Sequence, residues 1–157
     1  MAYMIDDNNN SEKIKESMNK PRILVVDDEP MNVEIFEGYL SGDYDVIKAY
    51  NGDEALLKVE TTNPDLILLD VMMPGKNGFD VCKILKDNPK TMAIPIIFVT
   101  ALNEKEDRIK ALEAGADDFL SKPIDIIEVT ARVKSLLRIK QYYDALMGDY
   151  FISYFKT

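Results

Sequence analysis

The side chains best suited to chemistry lie in four short stretches far apart in the chain: Asp27-Asp28, Asp70, Thr100 and Lys122. Each stands at the end of an apolar run: Arg22–Val26 before Asp27, Leu66–Leu69 before Asp70, Ile94–Thr100 with the hydroxyl as its last residue, and Asp117–Ser121 before Lys122. Short apolar runs without alternation fit strands covered on both faces, as in a parallel sheet. In an open α/β sheet, ligands and chemistry gather beyond the carboxyl ends of the strands. If these strands are parallel and adjacent, all five residues share one rim. Three carboxylates there repel one another unless a cation neutralises them. Oxygen ligands without His or Cys favour Mg²⁺ or Mn²⁺ over zinc. A hydroxyl and an ammonium beside such an ion are donors suited to phosphoryl oxygens. The residues therefore point to phosphoryl transfer with a carboxylate as nucleophile. Asp70 is the candidate, because its strand is expected near the middle of the sheet.

Composition narrows the chemistry further. Histidine is absent from the 157 residues, which removes His-based triads, His metal sites and a phosphohistidine on this chain. The formal net charge of −9 argues against general affinity for nucleic acid phosphates. No apolar run approaches the roughly 20 residues that span a bilayer, and no basic-then-apolar start marks a secretory signal. The single cysteine, Cys82, excludes an internal disulfide and suits a reducing, cytoplasmic setting. It lies in an apolar helical pattern and reads as a core residue.

Helices are expected between the strands. Pro30 opens the first, where Val33, Phe36 and Leu40 share a face, and Gly42 closes it. A short strand over Asp45–Ala49 leads to the Asn51-Gly52 turn and a helix carrying Ala55, Leu56 and Val59. Asn77-Gly78 begins a third helix with Phe79, Val81, Cys82, Ile84 and Leu85, stopped by Pro89. Asn103 and Glu104 start a fourth with Ile109, Ala111, Leu112 and Ala114, closed by Gly115, and a last helix begins at Asp125. Five strands alternating with five helices predict βαβ units and a mostly parallel sheet.

Asp27-Asp28, Asp70 with Met73-Pro74-Gly75, Thr100-Ala101 and Lys122-Pro123 together resemble the receiver domain of bacterial two-component response regulators. The resemblance runs over about residues 22–140. It implies a flavodoxin-like, doubly wound, five-stranded sheet of order 2-1-3-4-5 with an extended C-terminal helix. It further implies that Asp70 accepts a phosphoryl group from a phosphohistidine on a sensor histidine kinase or histidine phosphotransfer protein. Asp27, Asp28, Asp70 and the backbone carbonyl of Met72 would hold Mg²⁺ (or Mn²⁺). Lys122 would pair with a phosphoryl oxygen, and Thr100 would move to hydrogen-bond the phosphoryl group. Phe119 matches the aromatic switch position, with plain core packing as its other reading. The Lys122–Pro123 bond would be cis. No enzymatic activity beyond its own phosphorylation and dephosphorylation is implied. Asn77 stands where many relatives carry Asp, and reads as a helix-cap exchange. Leu102, two residues past Thr100, is apolar where many relatives are polar; with Met72 it flanks the site, where it could alter attack by water on the phosphoryl group.

Two other readings remain at this stage. A hydrolase with an aspartyl-phosphate intermediate would need a second Asp beside the nucleophile, and the residue two past Asp70 is Met72. A receiver that binds partners without phosphorylation would not need a complete rim. The chain divides into a mobile leader (1–20) with a helical turn from Ser11, a receiver domain (21–140) and a helical extension (141–157). Val129, Val133, Leu136, Lys140, Tyr143, Met147 and Tyr150 recur at steps of four and three. This stripe leaves two arrangements open: packing back on the domain, or pairing with a second copy. The segment Arg132–Lys140 resembles the helix leaving the receiver in diguanylate cyclase-type regulators, so an output module in a longer relative is a further reading. Tyr150–Phe155 is expected to form an apolar contact surface.

Overall fold

The computed structural model describes residues 20–155, with side chains described as far as Gly148. The leader up to residue 19 and the Tyr150–Phe155 side chains therefore lie outside the described residues. Five strands, β1 (Arg22–Val26), β2 (Asp45–Ala49), β3 (Leu66–Leu69), β4 (Ile96–Thr100) and β5 (Asp118–Ser121), alternate with five helices. These are α1 (Pro30–Leu40), α2 (Gly52–Thr62), α3 (Gly78–Asp87), α4 (Lys105–Glu113) and α5 (Ile126–Phe155). All neighbouring strands pair in parallel, in the order β2-β1-β3-β4-β5. This is the flavodoxin-like order expected from the sequence, and it puts β3 at the centre.

The unbroken apolar strands feed two cores. Leu24, Val26, Ile67, Leu69, Ile96 and Phe98 face one side, where Ala55 and Val59 of α2, Val81, Cys82 and Leu85 of α3, and Ala111 of α4 cover them. Ile23, Val25, Leu66, Leu68, Ile97 and Val99 face the other, covered by Val33, Phe36 and Leu40 of α1 and Val129, Val133 and Leu137 of α5. Period-2 alternation thus hides in runs that look uniformly apolar, because both faces are buried. Full burial of each large aliphatic side chain contributes on the order of 1.5–3 kcal/mol, so this central slab fixes the backbone from which the rim projects.

Several element ends depart from the sequence reading. β4 begins at Ile96 rather than Ile94, and Pro95 ahead of it offers the ladder only its carbonyl, which accepts the Ile67 N–H at 3.0 Å. α1 ends at Leu40, with Ser41 as its C-cap, before Gly42 is reached. In α4, Ile109 and Leu112 are exposed, 73% for Leu112, and the small residues Ala111 and Ala114 make the contact with the core instead. Ile84 of α3 is likewise exposed. Cys82 is fully buried, its thiol donating to the Ala114 carbonyl at 3.3 Å. Burial pushes that thiol up to about 11. Asn77 caps α3 in a capping box with Asp80, with N–H to oxygen distances of 3.0 and 3.3 Å.

α5 is one continuous helix of 30 residues. Val129, Val133 and Leu137 bury against the sheet, Leu136 and Lys140 are half-buried, and every residue from Gln141 to Gly148 is exposed. Tyr143 and Met147 are exposed, while Gln141 and Asp144 line a cavity with Pro21, Arg22, Asn63 and Asp65. Among the described residues, no helix is long and apolar enough to cross a membrane.

Candidate functional site

Parallel pairing places the ends of β1, β3, β4 and β5 on one rim. Val26 pairs with Leu69, so Asp27 and Asp70 emerge side by side, and the Asp70 N–H donates to the Val26 carbonyl at 3.0 Å. Thr100 pairs with Ser121, and the Lys122 N–H donates to the Thr100 carbonyl at 2.8 Å. The Lys122–Pro123 peptide bond is cis. From this position the Lys122 ammonium reaches across to Asp27 Oδ2 at 3.1 Å and Asp70 Oδ2 at 3.3 Å. One carboxylate oxygen from each of Asp27, Asp28 and Asp70 lies within 4.8 Å of the others. Residues 95 positions apart in the chain, Asp27 and Lys122, thus meet at one point.

The loop after β3 is held tightly. The Asp70 carboxylate Oδ1 accepts the Met72 N–H at 3.2 Å, and the Gly78 N–H donates to the Val71 carbonyl at 2.9 Å. A Cβ on Gly78 would stand 2.4 Å from the Asp70 carbonyl oxygen and 2.8 Å from Val71 Cα, both backbone atoms. Only glycine lets α3 begin this close to the acidic rim. Met72 itself is 60% exposed.

Burial and charge compete over these groups. Asp70 is 6% exposed and Asp27 3%, whereas Asp28 is exposed. Burial, and secondarily the Asp27 charge, raise the Asp70 carboxyl above its ordinary range even though Lys122 and the Met72 N–H pull the other way. Burial also works against the Lys122 ammonium, but its hydrogen bond to Asp27 and the charges of Asp70 and Asp27 outweigh that, and its pKa sits above the ordinary value. One ammonium thus faces three carboxylates, leaving an excess of negative charge. Three convergent carboxylate oxygens with no nitrogen or sulfur ligand fit a hard divalent cation, which would remove that excess.

Thr100 is fully buried, its Oγ1 accepting the Leu102 N–H at 3.3 Å. Phe119, two residues before the end of β5, is half-buried against the α2–α3–α4 core and lines a cleft of about 480 Å³ with Leu112 and Arg132. The sequence reading did not single out Asn32, whose side-chain amide donates to Asp27 Oδ2 at 3.1 Å, nor Gly78 as a steric requirement. The only sequence signal for Asn32 is its place in the first turn after Pro30, where a polar side chain can reach back past the helix start.

Residues 23–134 match the family model described as the response regulator receiver domain. Over 126 residues, 80% of this chain, the sequence is 52% identical to the response regulator PleD of Caulobacter vibrioides, covering 28% of that protein. It is 49% identical over 122 residues to the alkaline phosphatase synthesis transcriptional regulatory protein PhoP of Bacillus subtilis, covering 77% of this chain and 50% of PhoP. The chain thus spans half or less of these curated relatives. A crystal structure of a response regulator from Chloroflexus aurantiacus superposes with a TM-score of 0.72 at 38% identity, covering 76% of this chain and 99% of that one. With the parallel five-stranded sheet and its acidic rim, these matches establish that the chain belongs to the response regulator receiver family.

Proposed function

We propose that this chain is a phosphorylation-dependent signalling switch whose phosphoacceptor is Asp70, with a phosphohistidine on a histidine kinase or phosphotransfer protein as donor. The reading rests on one observation above all: the Lys122 ammonium bridges Asp27 and Asp70 at 3.1 and 3.3 Å at the head of the central strand. An Asp70 oxygen attacks phosphorus, the P–N bond to the donor imidazole breaks, and the electron pair leaves with that ring. Asp27, Asp28 and the Met72 carbonyl, with Asp70, would hold Mg²⁺ or Mn²⁺, whose charge offsets the negative charge gathered on the phosphoryl oxygens. Lys122 then gives its donors to a phosphoryl oxygen. Thr100, which ends the neighbouring strand, offers its hydroxyl to another.

Adding a dianionic group to Asp70 changes which donors the rim must satisfy, and a shift of the β4 end would bring Thr100 to it. Phe119, half-buried two residues before the end of β5, is the ring that responds to that movement. The exposed stretch Gln141–Gly148 of α5 would carry the response outward, to a second copy or to an output module.

The test is incubation with acetyl phosphate and MgCl₂ followed by intact mass. A gain of one phosphoryl group that requires the metal and disappears in Asp70→Asn supports the switch. No adduct with a folded, Mg²⁺-binding protein overturns it. Steady turnover of a phosphate ester would assign a hydrolase instead.

A further inference from the structure

We propose that Asn32 is the positioning residue for the metal-ligand carboxylate of Asp27, an inference that rests on the reading of Asp27 as a cation ligand. Asp27 has three donors around it. Oδ1 accepts the Glu29 N–H at 3.0 Å; Oδ2 accepts both the Lys122 ammonium and the Asn32 amide, each at 3.1 Å. A carboxylate offers about four lone-pair directions, so these three leave roughly one for a cation and fix where it points. Asp27 is only 3% exposed, so bulk solvent has little access to the remaining direction.

The three donors are not equivalent. The Glu29 N–H is part of the backbone turn into α1 and cannot leave. Lys122 is shared with Asp70 and is the group that turns to the phosphoryl oxygen after transfer. Asn32 has one other acceptor, Glu29 Oε2 at 3.3 Å, and no role toward the phosphoryl group. When Lys122 leaves Asp27, Asn32 becomes the side chain that keeps the Oδ2 edge from rotating. The helix start is built for this. Pro30 begins α1, Glu29 at the N-cap makes no side-chain cap, and Asn32 stands in the first turn, where its amide reaches back to the residue before the acidic pair ends. Asn is a poor choice for capping from inside a helix, and its amide satisfies no backbone group here. Its placement is explained by Asp27.

The experiment measures Mn²⁺ binding to the full chain by electron paramagnetic resonance of free Mn²⁺, with Mg²⁺ affinity by calorimetry as a second readout. Asn32→Leu keeps the side chain's bulk without its donor; Asn32→Ala removes both. Groups that orient metal ligands through a hydrogen bond typically change affinity by 10- to 100-fold when lost. Both variants are expected to bind about tenfold more weakly, while the melting temperature of the metal-free protein moves by only a few degrees. Affinity within twofold of wild type in either folded variant overturns the proposal, as does a melting-temperature loss without an affinity loss. Should wild type itself fail to bind either ion, the metal reading falls and takes this inference with it; should wild type bind and the variants bind equally, only the role of Asn32 falls.

Discussion

Lys86 and Lys122 sit at opposite ends of the strands, each reaching over the sheet edge to an aspartate. Lys86 donates to the Met92 and Ile94 carbonyls at 3.1 and 2.8 Å and to Asp117 Oδ2 at 2.8 Å. That carboxylate in turn accepts the Ile96 N–H at 2.8 Å, tying α3 to the starts of β4 and β5. Three donors meet three acceptors, and the charges cancel. Lys122 faces three carboxylates, bonds two of them, and leaves a surplus of negative charge; burial first, and the Asp27 charge second, raise the Asp70 carboxyl. The same chemical pair is thus a staple at one end and an unfinished site at the other. What distinguishes them is whether the charges and hydrogen bonds close among the protein's own groups.

Breaking the staple should cost the most stability. Lys86→Met leaves two carbonyls and a carboxylate without their donor, and an expected loss of about 2–3 kcal/mol lowers the melting temperature by roughly 5–10 °C. Added Mg²⁺ should not restore it, which differential scanning calorimetry with and without the ion would show.

Gly78→Ala attacks the rim by steric means alone. The new methyl meets backbone at 2.4 Å, so α3 or the Asp70 loop must shift, at an expected cost of about 1–3 kcal/mol. Unlike Lys86→Met, it should also reduce phosphoryl incorporation from acetyl phosphate at temperatures where the protein remains folded.

Asp70→Asn should have the opposite sign. The folded pKa of Asp70 is raised, so its favourable contribution is complete below the ordinary carboxylate range and is lost as pH rises through the raised value. Near neutrality the ionised group is a burden, and its removal should stabilise the metal-free protein by about 1 kcal/mol, or roughly 2–4 °C. That advantage should vanish at acid pH, where both side chains are neutral, and should shrink when Mg²⁺ is added.

The smallest effect concerns Cys82, one turn before Lys86. With its thiol pushed up to about 11 by burial, the neutral form stabilises the fold fully below the ordinary thiol value and loses that contribution as pH rises through about 11. Native protein should resist iodoacetamide at about pH 8, and Lys86→Met should speed the labelling by loosening the contact with Ala114. Mass spectrometry over time checks both.

The sequence made the rim legible because each of its residues ends an apolar run, and strand ends are where pattern alone fixes position. The central strands carried that signal strongly: Leu66–Leu69 is all buried and Arg22–Val26 nearly so. The staple was not legible. Lys86 and Asp117 stand 31 residues apart in ordinary charged surroundings, and nothing in their spacing says that their helix and loop converge. Leu112 misled for a related reason: helical periodicity admits it to the apolar face, but α4 approaches the sheet through Ala111 and Ala114, so the larger neighbour is left outside. Asn32 was missed because a first-turn amide looks like any other polar residue until its acceptor is known.

The unbroken course of α5 has a mechanical side. Its root is clamped by Val129, Val133 and Leu137, while residues 141–148 are exposed. At 1.5 Å per residue, the stretch of α5 from Gln141 to Phe155 runs about 22 Å. Over such a boom, a tilt of only about 5° at the root sweeps the tip by roughly 2 Å, so a small repacking beneath Val133 becomes a movement large enough for a neighbouring molecule to feel.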